Sequence, residues 1–152
     1  MQKSILVLNG PNLNLLGTRE PSIYGAETLQ DVERLCAAEG ENLGVTVECR
    51  QSNVEGELVT WLHEAGRAFQ AGTLLGVVLN AAAYTHTSIA LLDAMKGTGV
   101  PVIEVHISNV HARESFRHHS FISPAARGII VGFGVRGYLM AIGALVAMAP
   151  KT

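Results

Sequence analysis

Apolar and polar positions divide the chain into short runs of two kinds. SILVLN (4–9), TLLGVVLN (73–80), VPVIEVHIS (100–108) and GIIVGFG (128–134) are nearly continuous apolar stretches closed by turn residues, the pattern of strands buried on both faces. VTVECRQS (45–52) alternates instead, and predicts a further strand. Between these runs the apolar residues recur at helical spacing. ETLQDVERLCAAEGENLG places Leu29, Val32, Leu35, Cys36 and Leu43 on a stripe that ends in glycine, and EGELVTWLHEAGRAFQAG does the same with Leu58, Trp61, Leu62, Ala65 and Phe69. A shorter helix is predicted from Thr85 to Lys96. YLMAIGALVAMA (138–149) is too short for the roughly 20 residues that span a bilayer, and predicts a buried or interface helix. Strands alternating with helices predict an α/β fold, a five-stranded parallel sheet with helices on both faces.

One segment does not fit this alternation. LNGPNLNLLGTREPSIYG (8–25) leaves the first strand as a long irregular loop holding two Pro, three Gly and three Asn, with Arg19 and Tyr24 near its end. It has no obvious structural purpose.

Composition narrows the class. At 152 residues the chain matches one domain, residues 1–152, and no linker, repeat or low-complexity stretch divides it. Only 16% of residues are charged and 48% are hydrophobic, against a usual charged share of roughly 25%, which favours burial between subunits. A net charge of −2 gives no electrostatic footprint for nucleic acid or an anionic membrane. The start, MQKSILVLNG, lacks the features of a signal sequence, and Cys36 and Cys49 have no CxxC or disulfide-framework spacing. A cytoplasmic location is expected.

In parallel α/β sheets ligands sit beyond the carboxyl ends of the strands, so the residues just past each strand are the ones to inspect. His106 ends the fourth strand; its imidazole can donate a proton near neutral pH, and Glu104, two residues back on the same face, is placed to orient the ring. The bland alternative is a strand-end histidine satisfied by solvent. The N–H groups of Ile107 and Ser108 would leave the sheet unpaired and suit a carboxylate. Asn80 ends the third strand, and His86 in NAAAYTHTS is expected at a helix start, where the dipole disfavours imidazolium; a turn asparagine and a surface histidine explain them equally well.

Tyr24 ordinarily ionises near pH 10, so as a general base at neutral pH it must be held as phenolate, a stabilisation of about 4 kcal/mol that a fixed cation such as Arg19 would partly supply. An unrelated surface pair is the competing reading. HARESFRHHS (111–120) carries histidines, but no HExxH, Cys-His pair or facial carboxylate set accompanies them, so an anion site using Arg113 or Arg117 is favoured over metal. There is no G-x-x-x-x-G-K-[ST], no G-x-G-x-x-G opening the first helix and no G-x-S-x-G, and Lys3, Lys96 and Lys151 lie away from the strand ends.

LNGPNLNLLGTREPSIYG, RQSN (50–53), LNAAAYTHTS, IEVHISNVHARESFRHHS and GIIVGFGVRGYLMA together closely resemble the type II 3-dehydroquinate dehydratases. The motifs run in order from residue 5 to about 141. The resemblance implies a flavodoxin-like sheet and reversible dehydration of 3-dehydroquinate to 3-dehydroshikimate through an enolate, with neither metal nor organic cofactor. It implies Tyr24 as general base with Arg19 beside it, Asn12 positioning the reacting region, His106 as general acid held by Glu104, and a water on Asn80 at the enolate oxygen. Ile107 and Ser108 would take the substrate carboxylate, His86 and Arg117 the ring hydroxyls, and Arg113 would steady a mobile lid of about residues 18–26. It further implies a homo-oligomer, a dodecamer of four trimers, in which Asp93 reaches a neighbour's site. Against it stands a flavodoxin-like nucleotide- or flavin-binding module, which would retain colour or nucleotide on purification. An oligomeric scaffold would give no reason to gather Arg19, Tyr24, Asn80 and His106.

Overall fold

The computed structural model describes residues 2–18 and 20–151, and of Pro21 and Tyr24 the backbone alone. Five strands, β1 (Ser4–Asn9), β2 (Thr46–Gln51), β3 (Leu74–Asn80), β4 (Val102–His106) and β5 (Gly128–Val131), form one sheet in the order β2-β1-β3-β4-β5. Every pairing is parallel. The helices are α1 (Pro21–Tyr24), α2 (Leu29–Leu43), α3 (Glu55–Gln70), α4 (Ile89–Thr98) and α5 (Arg136–Met148). This is the flavodoxin-like architecture.

Strand period two sorts the apolar residues between two cores. Ile5 and Val7 of β1, Val78 of β3 and Ile103 and Val105 of β4 face α2 and α5, whereas Leu6, Leu8, Val77, Leu79 and Val102 face α3 and α4. Continuous apolar runs are thus required because both faces are covered.

Helix limits follow local chemistry. At α2, the Thr28 side chain accepts the Asp31 N–H and the Asp31 carboxylate accepts the Thr28 N–H, a reciprocal cap, and Gly44 ends the helix at φ 77. Its buried line is Leu29, Val32, Cys36 and Gly40; Leu35 and Leu43, expected in the core, are 40% and 38% exposed. Gly40 holds its place because a Cβ there would lie 2.8 Å from the Val45 carbonyl oxygen of the chain entering β2.

The third predicted helix starts later than its sequence suggests. Residues Ala82–His86 form a 3-10 turn, and α4 begins only at Ile89, where the Ser88 hydroxyl accepts the Leu91 N–H at 2.9 Å and fixes an extended residue at the cap. β4 and β5 stop at His106 and Val131, before their predicted ends at 108 and 134, and Gly132 and Gly134 turn the chain at φ 91 and φ 63 into α5. The loop after β1 is less irregular than its composition implies. It holds a 3-10 turn at Leu13–Leu15 and the single turn α1, and Leu13 and Leu16 anchor it in the core against α2.

Candidate active site

In the order β2-β1-β3-β4-β5 the chain leaves β1 toward one face and β3 toward the other, so their exits diverge and open a crevice at the sheet's rim. A narrow cleft of about 80 Å³ lies there, with Asn12, Asn80, His86, His106, Ile107, Ser108, Arg113 and Arg117 among its lining residues. It borders a wider groove of about 650 Å³ that shares Ile107, Ser108 and Arg113 and reaches Ile23, Gly25 and Leu35. The β1 and β3 exits are held in contact: the Gly10 N–H donates to the Asn80 carbonyl at 2.8 Å, and a Cβ at Gly10 would lie 2.5 Å from the Ala81 carbonyl oxygen. Asn53, after β2, secures the other side, its Oδ1 accepting the Asn12 N–H at 3.0 Å while Asn12 turns the chain at φ 69.

His106 and Glu104 share one face of β4 and are 6% and 1% exposed. His106 Nε2 lies 2.5 Å from Glu104 Oε2, which also accepts the Ser120 hydroxyl at 3.0 Å, and Oε1 accepts the Ser123 hydroxyl at 2.5 Å. Burial pushes the Glu104 carboxyl up, but the hydrogen bonds from His106, Ser123 and Ser120 and the charge of the imidazole outweigh it and hold the group below its ordinary value. Glu104 is therefore an acceptor only, so Nε2 carries a proton and donates it to Glu104. Nδ1 is the ring nitrogen that this pairing leaves for proton transfer.

On the opposite face of the sheet, Asn9 and Asn80 are side by side in the β1–β3 register. The Asn80 Nδ2 group donates to the hydroxyl of Tyr138 on α5 at 2.8 Å, that hydroxyl donates to Asn9 Oδ1 at 2.6 Å, and Asn80 Oδ1 accepts the Ala82 N–H at 3.1 Å. Tyr138 is fully buried, and burial, only partly offset by the bond from Asn80, pushes its phenol far above the ordinary range, so it stays protonated.

The remaining cleft wall is built to receive oxygen. Gly132 and Gly134 N–H groups take the carbonyls of His106 and Ile107 at 3.1 and 3.0 Å, while the N–H groups of Ile107 and Ser108 have no backbone partner among the described residues. Arg113 Nη1 lies 3.4 Å from the Ser108 hydroxyl, and Arg117 Nε donates to Glu114 at 2.9 Å. His86 Nδ1 lies 2.8 Å from the His119 carbonyl, which can only accept, so Nε2 is the ring's acceptor. Burial first, and then the charges of His106 and Arg117, lower His86 below its ordinary value. The expected direction holds, but desolvation supplies it in place of a helix dipole, because α4 starts three residues later.

Of the residues singled out in the sequence, Asn12, Asn80, His86, His106, Ile107, Ser108, Arg113 and Arg117 meet at this cleft, with Glu104 directly behind His106. Asp93 is exposed on α4 and is not among the cleft's lining. Arg19 lies outside the described residues; Tyr24 ends α1, and its side chain is likewise outside the description. Sequence reading missed Tyr138, Asn9, Ser120 and Ser123 as members of the site's support. Two asparagines ending adjacent strands were the available signal for the first pair; nothing in the polar 111–127 connection marks the serines. Among the described residues, no group of three or more His, Cys, Asp or Glu is placed to hold a metal ion, and no helix is long and apolar enough to cross a membrane.

The family model described as dehydroquinase class II matches residues 3–146. A 3-dehydroquinate dehydratase of Variovorax paradoxus is 72% identical over 144 residues, covering 95% of this chain and 99% of that protein. The 3-dehydroquinate dehydratase 2 of Ralstonia nicotianae is 71% identical over 147 residues, covering 97% and 96%. The crystal structure of a type II dehydroquinase from Propionibacterium acnes superposes with a TM-score of 0.89 at 46% identity, covering 97% of this chain and 98% of the other.

Proposed function

Since the chain belongs to the class II dehydroquinase family, whose relatives are hydro-lyases, we propose that it removes water reversibly from 3-dehydroquinate, with Tyr24 as general base and His106 as general acid. The buried His106–Glu104 pair at the cleft floor carries this reading, because it presents one imidazole with a fixed donor at Nε2 and its other nitrogen available for proton transfer. The Tyr24 phenolate, stabilised by Arg19, takes the C2 proton beside the ketone, and the electron pair moves into an enolate. Donors at the enolate oxygen stabilise that charge where bulk solvent is excluded, and one ordered water on Asn80, with Asn12 nearby, supplies them. The enolate then collapses, the C1–O bond breaks, and His106 Nδ1 protonates the departing hydroxyl, leaving a neutral ring still donating to Glu104.

The Ile107 and Ser108 N–H groups suit the substrate carboxylate, and His86 and Arg117 the ring hydroxyls. Residues 18–26 act as a lid that carries Tyr24 over the cleft, with Arg113 at its base; the groove beside the cleft, lined by Ile23 and Gly25, marks that side. The active form is a homo-oligomer, a dodecamer of four trimers, in which Asp93 reaches a neighbour's cleft. The exposure of Val54, Ile89, Phe116 and Phe133 supports association between subunits. The whole chain acts as a single cytoplasmic domain. The same dehydration occurs in the shikimate route to aromatic precursors and in quinate breakdown.

The test is direct. Purified protein in chelator is mixed with 3-dehydroquinate and the ultraviolet absorbance of the conjugated enone is followed. A rise that scales with protein concentration is expected; no rise overturns the proposal.

A further inference from the structure

The buried chain Asn80–Tyr138–Asn9 has a fixed direction. A backbone N–H can only donate, so Ala82 obliges Asn80 to present its oxygen there and its amide nitrogen to Tyr138. The phenol accepts from Asn80 and therefore has its own proton to give, which obliges Asn9 to present oxygen. All three side chains are buried to 3% exposure or less. Reversing the Asn80 amide would set an N–H against the Ala82 N–H and would draw the phenol's proton away from Asn9. The Asn80 amide is thus locked in one polarity.

That polarity decides what the cleft receives. Asn80 Oδ1 accepts from Ala82 and one Nδ2 hydrogen goes to Tyr138, so the second Nδ2 hydrogen is the donor that the side chain has left beside the cleft it lines. A donor suits a developing enolate oxygen or the water that serves it; a carbonyl there would oppose the same charge. The Ala82 N–H sets the polarity, and the residue that holds the amide nitrogen in position is on α5, 58 residues further along the chain.

We propose that Tyr138 is a positioning residue for the dehydration, acting through Asn80 by holding its amide nitrogen so that the second N–H is offered to the charge formed in the cleft. This rests on the reading of Asn80 given above. Tyr138 touches no substrate. Asn9 is the anchor that makes the phenol an acceptor toward Asn80, which gives two adjacent strand-end asparagines a single purpose.

Tyr138→Phe keeps the buried ring and removes only the hydroxyl. Turnover in the enone assay is expected to fall about tenfold with KM within about twofold, because the defect lies in transition-state charge stabilisation and not in substrate binding. In an Asn80→Ala background, itself slow, the same substitution is expected to change kcat by less than about twofold, since its effect travels through the missing amide. An equal loss in both backgrounds marks a merely structural role and overturns the proposal. A normal kcat for Tyr138→Phe beside a slow Asn80→Ala overturns it while leaving the role of Asn80 intact, and a fast Asn80→Ala removes that role and the proposal together. Where Tyr138→Phe does not yield folded protein, Asn9→Ala breaks the chain one link further from the cleft. A smaller loss confined to kcat supports the proposal, and unchanged kcat overturns it.

Discussion

Replacing Glu104 by glutamine alters one charge and almost no volume. Ser123 faces one Glu104 oxygen, and Ser120 and His106 face the other. In the variant the amide oxygen keeps Ser120 and His106, and the amide nitrogen turns to Ser123, whose hydroxyl rotates to accept. The ring therefore keeps its Nε2–H tautomer, and what is lost is the negative charge that stabilises the imidazolium delivering its Nδ1 proton. A hydrogen bond to a charged group contributes about 1.5–3 kcal/mol, which at about 1.4 kcal/mol per tenfold corresponds to a roughly 10- to 150-fold drop in kcat. KM should change little. The same substitution has a stability signature. The folded Glu104 pKa is below the ordinary 4.5, so between the two values the unfolded chain binds more protons and stability rises with pH. The native protein's advantage over the variant is then fully present above about pH 4.5, shrinks as pH falls below it, and is gone once pH passes the folded value. Steady-state kinetics at neutral pH and melting curves between pH 3 and 7 read both effects. A kcat within threefold of native, or a melting difference that grows as pH falls below 4.5, would refute the reasoning.

Gly10→Ala drives a methyl into the Ala81 carbonyl, which is backbone and cannot rotate away; about 3 kcal/mol of destabilisation is expected, a fall of roughly 6–12 °C in Tm by calorimetry. An unchanged melting temperature would mean that the β1 and β3 exits are not in the contact described. Tyr24→Phe should fold normally, by circular dichroism, and lose nearly all turnover, and Arg19→Ala should move the basic limb of the pH profile upward; a native rate in Tyr24→Phe removes the base assignment.

How far the site could be read in advance followed from what each residue's neighbours in sequence revealed. Asn80 and His106 were legible because each ends a continuous apolar run, and in a parallel sheet those ends form the rim. Glu104 was legible from period two alone. Tyr138 was hidden because its tract is apolar throughout; only the packing of α5 on the sheet brings its hydroxyl to asparagines 58 and 129 residues away. Ser120 and Ser123 likewise reach Glu104 across a connection with no periodicity. Leu35 failed because a helical stripe read from spacing is wider than the line that actually meets β2, where Gly40 takes the next place. The His86 prediction gave the right direction from the wrong source, since a Ser88 cap excluded from α4 the residues expected to start it. The pairing of Tyr24 with Arg19 rests on the resemblance of the loop that carries them.

The division of labour between two separate proton-transfer groups is tested most directly by incubating His106→Ala with 3-dehydroquinate in deuterium oxide and following the C2 proton by NMR alongside the enone absorbance. The account predicts that the C2 proton exchanges with solvent while almost no enone forms, because the base still makes the enolate and the hydroxyl lacks its acid. Enone formation at the native rate, or C2 exchange no faster than in buffer, would contradict it.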